Sequence, residues 1–164
     1  MTISINHVQK NGLDHVSYSG PLNAASEVYL SQLLPTLGDH IRFSLEHVTE
    51  VNSCGVRSWI HFIRSLDQKG AKLTLTECPE AIVLRMNLIP SFKGGAEIES
   101  VYGSYFCDKC DLTEQVLFKF GLNFPKTSPQ TQVAKKICSS CGLEMEFSES
   151  EDEYFSFLVT KAIA

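Results

Sequence analysis

Two C-x-x-C pairs, Cys107/Cys110 and Cys138/Cys141, are the residues of this sequence best suited to chemistry. Each pair puts two thiolates on one tight turn, and the 27 residues between the pairs let the turns fold together into a four-thiolate shell. Zinc suits that shell: it is redox-inert and accepts four sulfurs tetrahedrally, and a shell closed by four cysteines leaves no position for a substrate water. The expected metal is therefore one structural Zn2+ per chain. In a reducing cytosol such pairs hold metal rather than form disulfides, and neither sits at the strand-to-helix turn a two-cysteine redox motif occupies. Asp111 and Gly142 directly follow the second cysteine of each pair, and both types enter left-handed backbone readily.

A second constellation is the loop Asn52-Ser53-Cys54-Gly55 in front of an amphipathic helix. Small polar groups beside a helix N-terminus meet free amide donors and the positive end of the helix dipole. A thiol in that position is also more acidic, which makes Cys54 a candidate oxidant sensor; the plainer reading is a small side chain filling a serine's place. Ser53 reads as the helix cap. On the helix itself Arg57, His61 and Arg64 recur at i, i+4 and i+7, a basic stripe beside the loop, with Ser58 between them. His7, His15, His40 and His47 have no metal or triad spacing.

The elements that carry these residues fall into two textures. Ile3 to Val8 and Leu13 to Ser19 read as strands around the turn Asn11-Gly12. Asn23 then opens a helix with Leu30, Leu33, Leu34 and Leu37 at helical spacing, and Ile41, Phe43 and Leu45 alternate as a strand. From Cys54 the period is helical again, with Val56, Trp59, Ile60 and Ile63 forming one face and Lys69-Gly70 the stop. A strand at Ala71 to Leu75 and a helix from Pro79 to Ile89, ended by Pro90, complete a β-β-α-β-α-β-α order. This order predicts an α/β domain over 1–95 with helices packed on a mixed sheet.

Past the glycines 94 and 95 come short aromatic strands at Tyr102 to Phe106, Val116 to Phe120 and Leu143 to Phe147, a polar loop from Asn123 to Gln132, an acidic run and an apolar tail. Residues 96–164 are thus expected to form a small β-rich zinc ribbon whose folding energy comes largely from its metal. The aromatics Tyr102, Tyr105, Phe106, Phe118 and Phe120 read as the buried face of that sheet rather than a base-stacking platform.

Charge narrows the function. The chain of 164 residues carries a formal charge of -5, and each part is net acidic, with 8 basic against 10 acidic residues up to Phe106 and 6 against 9 beyond it. Phosphate binding is disfavoured, since Lys135-Lys136 is the one basic doublet near a knuckle and faces six acidic residues from Glu144 to Glu153. There is no glycine-rich phosphate loop, His-Glu metal motif or nucleophile with a base and orienter, so the reading is of a protein that is not an enzyme. Nothing resembles a secretory leader or a membrane span, and a cytoplasmic location is expected.

Residues 3 to 92 resemble the STAS domain, the fold of bacterial anti-anti-sigma factors, in Gly20-Pro21-Leu22-Asn23, the loop before the Val56–Leu66 helix, and Gly70-Ala71-Lys72-Leu73-Thr74-Leu75. The resemblance implies a regulatory module that antagonises an anti-sigma factor or related kinase, with Ser53, Cys54, Arg57, Ser58 and His61 on the partner surface. In that family a serine just before the loop glycine is phosphorylated, and phosphate breaks the complex. Here that position is Cys54 and the family's acidic loop residue is Asn52, so the phospho-switch is altered. The alternatives are a transcription-associated ribbon that contacts nucleic acid and a thiol sensor at Cys54.

Overall fold

The computed structural model describes residues 2–122 and 133–158. The polar loop expected at 123–132 lies outside them. β1 (Ser4–Lys10) and β2 (Leu13–Leu22) form the expected antiparallel hairpin, and Asn11 and Gly12 both take positive φ, 53° and 76°. Two left-handed residues give the turn the twist of its flanking strands. α1 (Ser26–Leu33) then leads through a 3-10 turn into β3 (His40–Val51), and α2 (Ser53–Gln68) into β4 (Lys72–Thr76). α3 (Glu80–Leu88) and α4 (Pro90–Lys93) precede β5 (Glu97–Ile98). The five strands lie in the order β1-β2-β3-β4-β5, with β1 antiparallel and the other pairs parallel.

One face of this sheet is covered by helices. Phe43 of β3 meets the ring edges of Trp59 and Phe62 at centroid distances of 5.3 and 5.9 Å, and the Trp59 indole donates to the Phe92 carbonyl at 3.0 Å. Trp59, Phe43 and Phe92 are fully buried, so an indole that needs a partner for its N–H finds one without reaching water. Trp59 thereby ties α2 to α4.

Three elements depart from what local pattern predicts. β3 runs six residues past Leu45, through polar Thr49 and Glu50, because β2 extends beside it and Gly20 and Leu22 pair with Val48 and Val51. Pro90 ends α3 but also opens α4, where its missing N–H costs nothing at a first-turn position. Asn23 does not cap α1 directly: its carboxamide accepts from Ala25 N at 2.9 Å while Ser26 Oγ accepts from Asn23 N at 2.9 Å, a closed turn before the helix.

Beyond residue 95, β5 still pairs with β4, and Glu99 N donates to Leu75 O at 2.9 Å. β6 (Ser100–Cys107) follows and bridges Cys78 through Val101. The second sheet has the order β7-β6-β9-β8, with β7 at Leu112–Lys119, β8 at Lys136–Ile137 and β9 at Glu144–Phe147. α5 (Glu151–Tyr154) and a 3-10 turn at Ser156–Leu158 close the described chain. Tyr105, Phe118 and Phe120 are buried with the tail aromatics Tyr154, Phe155 and Phe157, and one hydrophobic cluster runs from the first sheet through them. Gly103 permits this: a Cβ there would stand 2.8 Å from both the Phe118 and Phe147 rings, which lie across β6.

Asp14, fully buried, fastens the hairpin to the turn after α1. It accepts from His7 Nε2 at 2.7 Å and from Gly38 N at 2.8 Å. Burial by itself would raise its carboxyl, but the His7 and Gly38 hydrogen bonds and the charges of His7 and Lys69 outweigh it and hold the carboxyl below the usual aspartate range. A carboxylate lowered in the folded state contributes stability above its unfolded pKa and loses it as pH falls through the folded value. Asp14→Asn is therefore expected to cost about 2 kcal/mol near neutral pH. The gap to wild type should narrow below pH about 4 in urea titrations; an equal gap at pH 7 and pH 3 would rule this account out.

Candidate metal centre and partner loop

The two knuckles are built alike. Cys107 ends β6 opposite Leu112, Cys110 lies in the turn, and Asp111 follows with φ 50°. Cys138 follows β8, its amide donates to Leu143 O at 2.8 Å, Gly142 N returns to Cys138 O at 3.0 Å, and Gly142 has φ 73°. A left-handed residue after each second cysteine reverses the chain while both thiols stay on the inside of the turn. All four Sγ atoms lie within 4.8 Å of one another, and Cys107 Sγ and Cys141 Sγ are 3.6 Å apart. A tetrahedron with metal–sulfur bonds of about 2.3 Å has edges of about 3.8 Å, whereas a disulfide needs about 2.05 Å. The cluster has the size of the former, and all six cysteines are free thiols.

Its electrostatics are uneven in a way that a cation would relieve. The Cys141 and Ser140 amides draw the Cys138 thiol down to about 7. The Cys141 thiol and burial, with Cys138 and Cys107 close by, push Cys110 up to about 12. The Cys110 amide pulls Cys107 down, but burial and the Cys141 and Cys138 thiols win and raise it. Four such groups cannot all ionise side by side without a positive charge among them.

Glu114 was not legible as part of this centre. Its carboxylate spans the two knuckles, accepting from Ser139 Oγ at 2.6 Å and Ser139 N at 3.2 Å and pairing with Lys136 Nζ at 2.8 Å. Lys136 and then Ser139 hold its carboxyl down at about 2. Lys135 is likewise paired, with Glu144 at 3.1 Å. The basic doublet near the second knuckle is thus matched by carboxylates, which weakens any phosphate-binding use of it.

At the β3–α2 junction, Asn52 and not Ser53 caps α2. The Asn52 carboxamide accepts from Gly55 N at 3.0 Å from an extended backbone, φ -107° and ψ 175°, and so takes the role assigned to the serine. Ser53 is exposed, and among the described residues its hydroxyl makes no hydrogen bond. Gly55 is buried against the β2–α1 connection, where Asn52 N also donates to Leu22 O at 3.1 Å. A Cβ on Gly55 would lie 1.9 Å from that same carbonyl oxygen. Cys54, Arg57, His61 and Arg64 are exposed together. Ser58 is not with them: it is 8% exposed, donates to the Cys54 carbonyl at 3.1 Å, and lines a hollow with Leu30 and Leu34 beside α1. Helix α1 covers that side of α2, which periodicity within α2 alone does not reveal. Cys78 is fully buried, and burial pushes its thiol far up, so it is inert.

No family model matches the chain, and no curated protein matches it. Among solved structures it is similar to a candidate anti-sigma factor antagonist from Thermotoga maritima, at 13% identity over 57% of this chain and 84% of that one, with a TM-score of 0.50. A second similar structure is the anti-sigma factor antagonist SpoIIAA in its unphosphorylated form, at 14% identity over 59% of this chain and 86% of that one, with a TM-score of 0.40. The first sheet and its helices have the STAS fold. Within that STAS-like part, Asn52 to Gly55 occupy the β3–α2 junction, and the four cysteines lie at the β6–β7 and β8–β9 turns of the second sheet beyond it. No helix among the described residues is long and apolar enough to cross a membrane.

Proposed function

We propose that the chain is a regulatory protein-binding module of the anti-sigma factor antagonist kind, with no catalytic activity, and that its second sheet is a zinc ribbon. The reading supposes a bacterial cytoplasm and a partner that is an anti-sigma factor or a related kinase. The observation that carries it is the STAS fold together with an exposed set at the start of α2, namely Ser53, Cys54, Arg57 and His61, with Arg64 one turn further. Ser58 is left out of the contact set because it is buried.

Control differs from the family pattern in this proposal. Cys54 replaces the phosphoacceptor serine, so binding is constitutive at that position. Ser53, exposed and uncommitted, is where a phosphate would have to go. A phosphate there would add about two negative charges beside Arg57 and the helix N-terminus, stabilising the helix locally while blocking a partner by bulk and desolvation.

Zinc is the metal the donor set favours: four sulfurs, a tetrahedral size and no oxygen donor among the clustered ligands. Cys107, Cys110, Cys138 and Cys141 would hold it, and Glu114 would orient the second knuckle through Ser139. Zinc at such a site supplies structure, since four thiolates leave no place for a substrate.

The test is affinity capture from native cytosol. Arg57→Glu is expected to weaken the captured complex at least tenfold while leaving thermal stability within about 0.5 kcal/mol of wild type, because Arg57 is an exposed helix residue. Ser53→Asp should release the same partner. If Arg57→Glu and His61→Ala both leave every captured protein in place, the contact surface is elsewhere.

A further inference from the structure

After the second knuckle the chain returns to the first domain. Residues 149–158 lie along α3, with Tyr154, Phe155 and Phe157 all at most 2% exposed. Asn87 of α3 grips this strap at three points: its Nδ2 donates to the carbonyls of Glu153 at 3.1 Å and Tyr154 at 2.8 Å, and its Oδ1 accepts from Phe157 N at 2.9 Å. The Tyr154 hydroxyl donates to the Tyr102 carbonyl on β6. A strap so fastened joins α3 to the second sheet.

The other side of the strap rests on the metal-bearing hairpin. Phe147, the last residue of β9, stacks on Phe155 at 5.9 Å and meets Tyr154 edge-on at 5.5 Å. β9 itself has little ladder to hold it: two register pairs to β6, two to β8, and Ser148 N to Ser104 O at 2.9 Å. Two-residue ladders are marginal in water. The hairpin is held against β6 by the Phe147 ring on Tyr105 and Phe118, by the Tyr105 hydroxyl on the Ala134 carbonyl at 2.7 Å, and by the thiol cluster, with Glu114 across the knuckles and Glu151 Oε2 accepting from Val133 N at 3.1 Å where the chain enters β8. Glu151 belongs to α5, so the strap and the hairpin brace each other.

We propose that metal occupancy of the four-cysteine cluster keeps the 149–158 strap seated on α3, and that metal loss unseats the strap and uncovers that helix. This rests on the zinc reading above. Without the metal, Phe147 loses the support of its hairpin, and Tyr154 and Phe155 lose one of the rings they pack on, so the strap is left to the Asn87 clamp and to rings such as Phe118 and Phe120. The ribbon thereby makes a surface of the STAS domain depend on metal.

Hydrogen exchange on the full chain tests this, with zinc-loaded protein, protein stripped by a chelator, and zinc-loaded Asn87→Ala. Stripping is expected to speed exchange at least tenfold in 149–158 and in α3, to leave β2 and β3 unchanged, and to be reversed by added zinc. Asn87→Ala should loosen the strap with metal content unchanged. Protein that carries metal and keeps its strap protected after stripping overturns the coupling and leaves the metal site standing. Protein that carries no metal as purified and takes up none overturns both. Loss of protection in β2 and β3 on stripping would make the metal a support of the whole fold and overturn selective release. An unaltered strap in Asn87→Ala would do the same for the clamp.

Discussion

Cys138→Ser is expected to take the protein from about one zinc per chain to none and to unfold β8 and β9, the largest expected effect of any single substitution. A serine hydroxyl is a poor zinc ligand, and with three thiolates the shell is open to water and chelators. Cys138 is also the thiol drawn down to about 7 by the Cys141 and Ser140 amides, whereas Cys107 and Cys110 are raised. In small zinc modules metal binding supplies roughly 10 to 16 kcal/mol and is the folding energy. Here β6 and β7 stay paired over eight residues and share a core with the first sheet through Val101 and Phe118, so collapse should be confined to β8 and β9. Metal analysis alongside near-UV circular dichroism checks it, and Cys54→Ser, exposed and outside the cluster, should change neither reading. Wild-type zinc content in Cys138→Ser would dismiss the four-thiolate centre.

Gly55→Ala is expected to cost about 3 kcal/mol, an unusually large loss for adding one methyl group. The new Cβ would sit 1.9 Å from Leu22 O and 2.1 Å from Leu22 C, and these are backbone atoms that no side-chain rotation can move. Either α2 lifts from the sheet or the Leu22–Asn23 connection shifts. Both would break Asn52 N to Leu22 O and disturb the Asn52 cap on Gly55 N. Urea denaturation measures the loss. Gly70→Ala is the control: Gly70 has φ 71° but open space around it, so only left-handed strain of about 1 kcal/mol is expected. Because Gly55 has helical φ, strain contributes nothing there, and a loss no larger than that at Gly70 would mean that the Leu22 backbone gives way to the added Cβ. Because the same loop presents Ser53 and Cys54, partner capture by Gly55→Ala should fall with stability, unlike Arg57→Glu.

Features that depend on neighbours along the chain were legible in the sequence. Asn11-Gly12 specifies a tight reversal through two positive φ angles wherever the hairpin is placed. Asp111 and Gly142 after their cysteine pairs carry the knuckle turns for the same local reason. Of the α2 face read from helical spacing, Trp59 and Ile63 are buried and Val56 and Ile60 half-buried, with Phe62 and Leu66 completing the buried stripe, and the β-β-α-β-α-β-α order follows from where the periods change. Tertiary structure decided whatever needed a distant partner. β3 continues through Thr49 and Glu50 because β2 supplies hydrogen bonds there, and β5 joins the first sheet although two residues carry almost no periodic signal. Asn52 took the cap from Ser53 because its backbone is pinned to Leu22, thirty residues earlier, and is held extended. Ser58, assigned to the partner surface by resemblance, is buried because α1 packs beside it. Glu114, Asn87 and Gly103 carry no motif at all: their roles arise where Ser139, Phe157 and the rings of Phe118 and Phe147 are brought to them across the fold. Local pattern constrains backbone torsion and the direction of a face, whereas a hydrogen bond or ring contact between elements exists only once packing has fixed both ends in space.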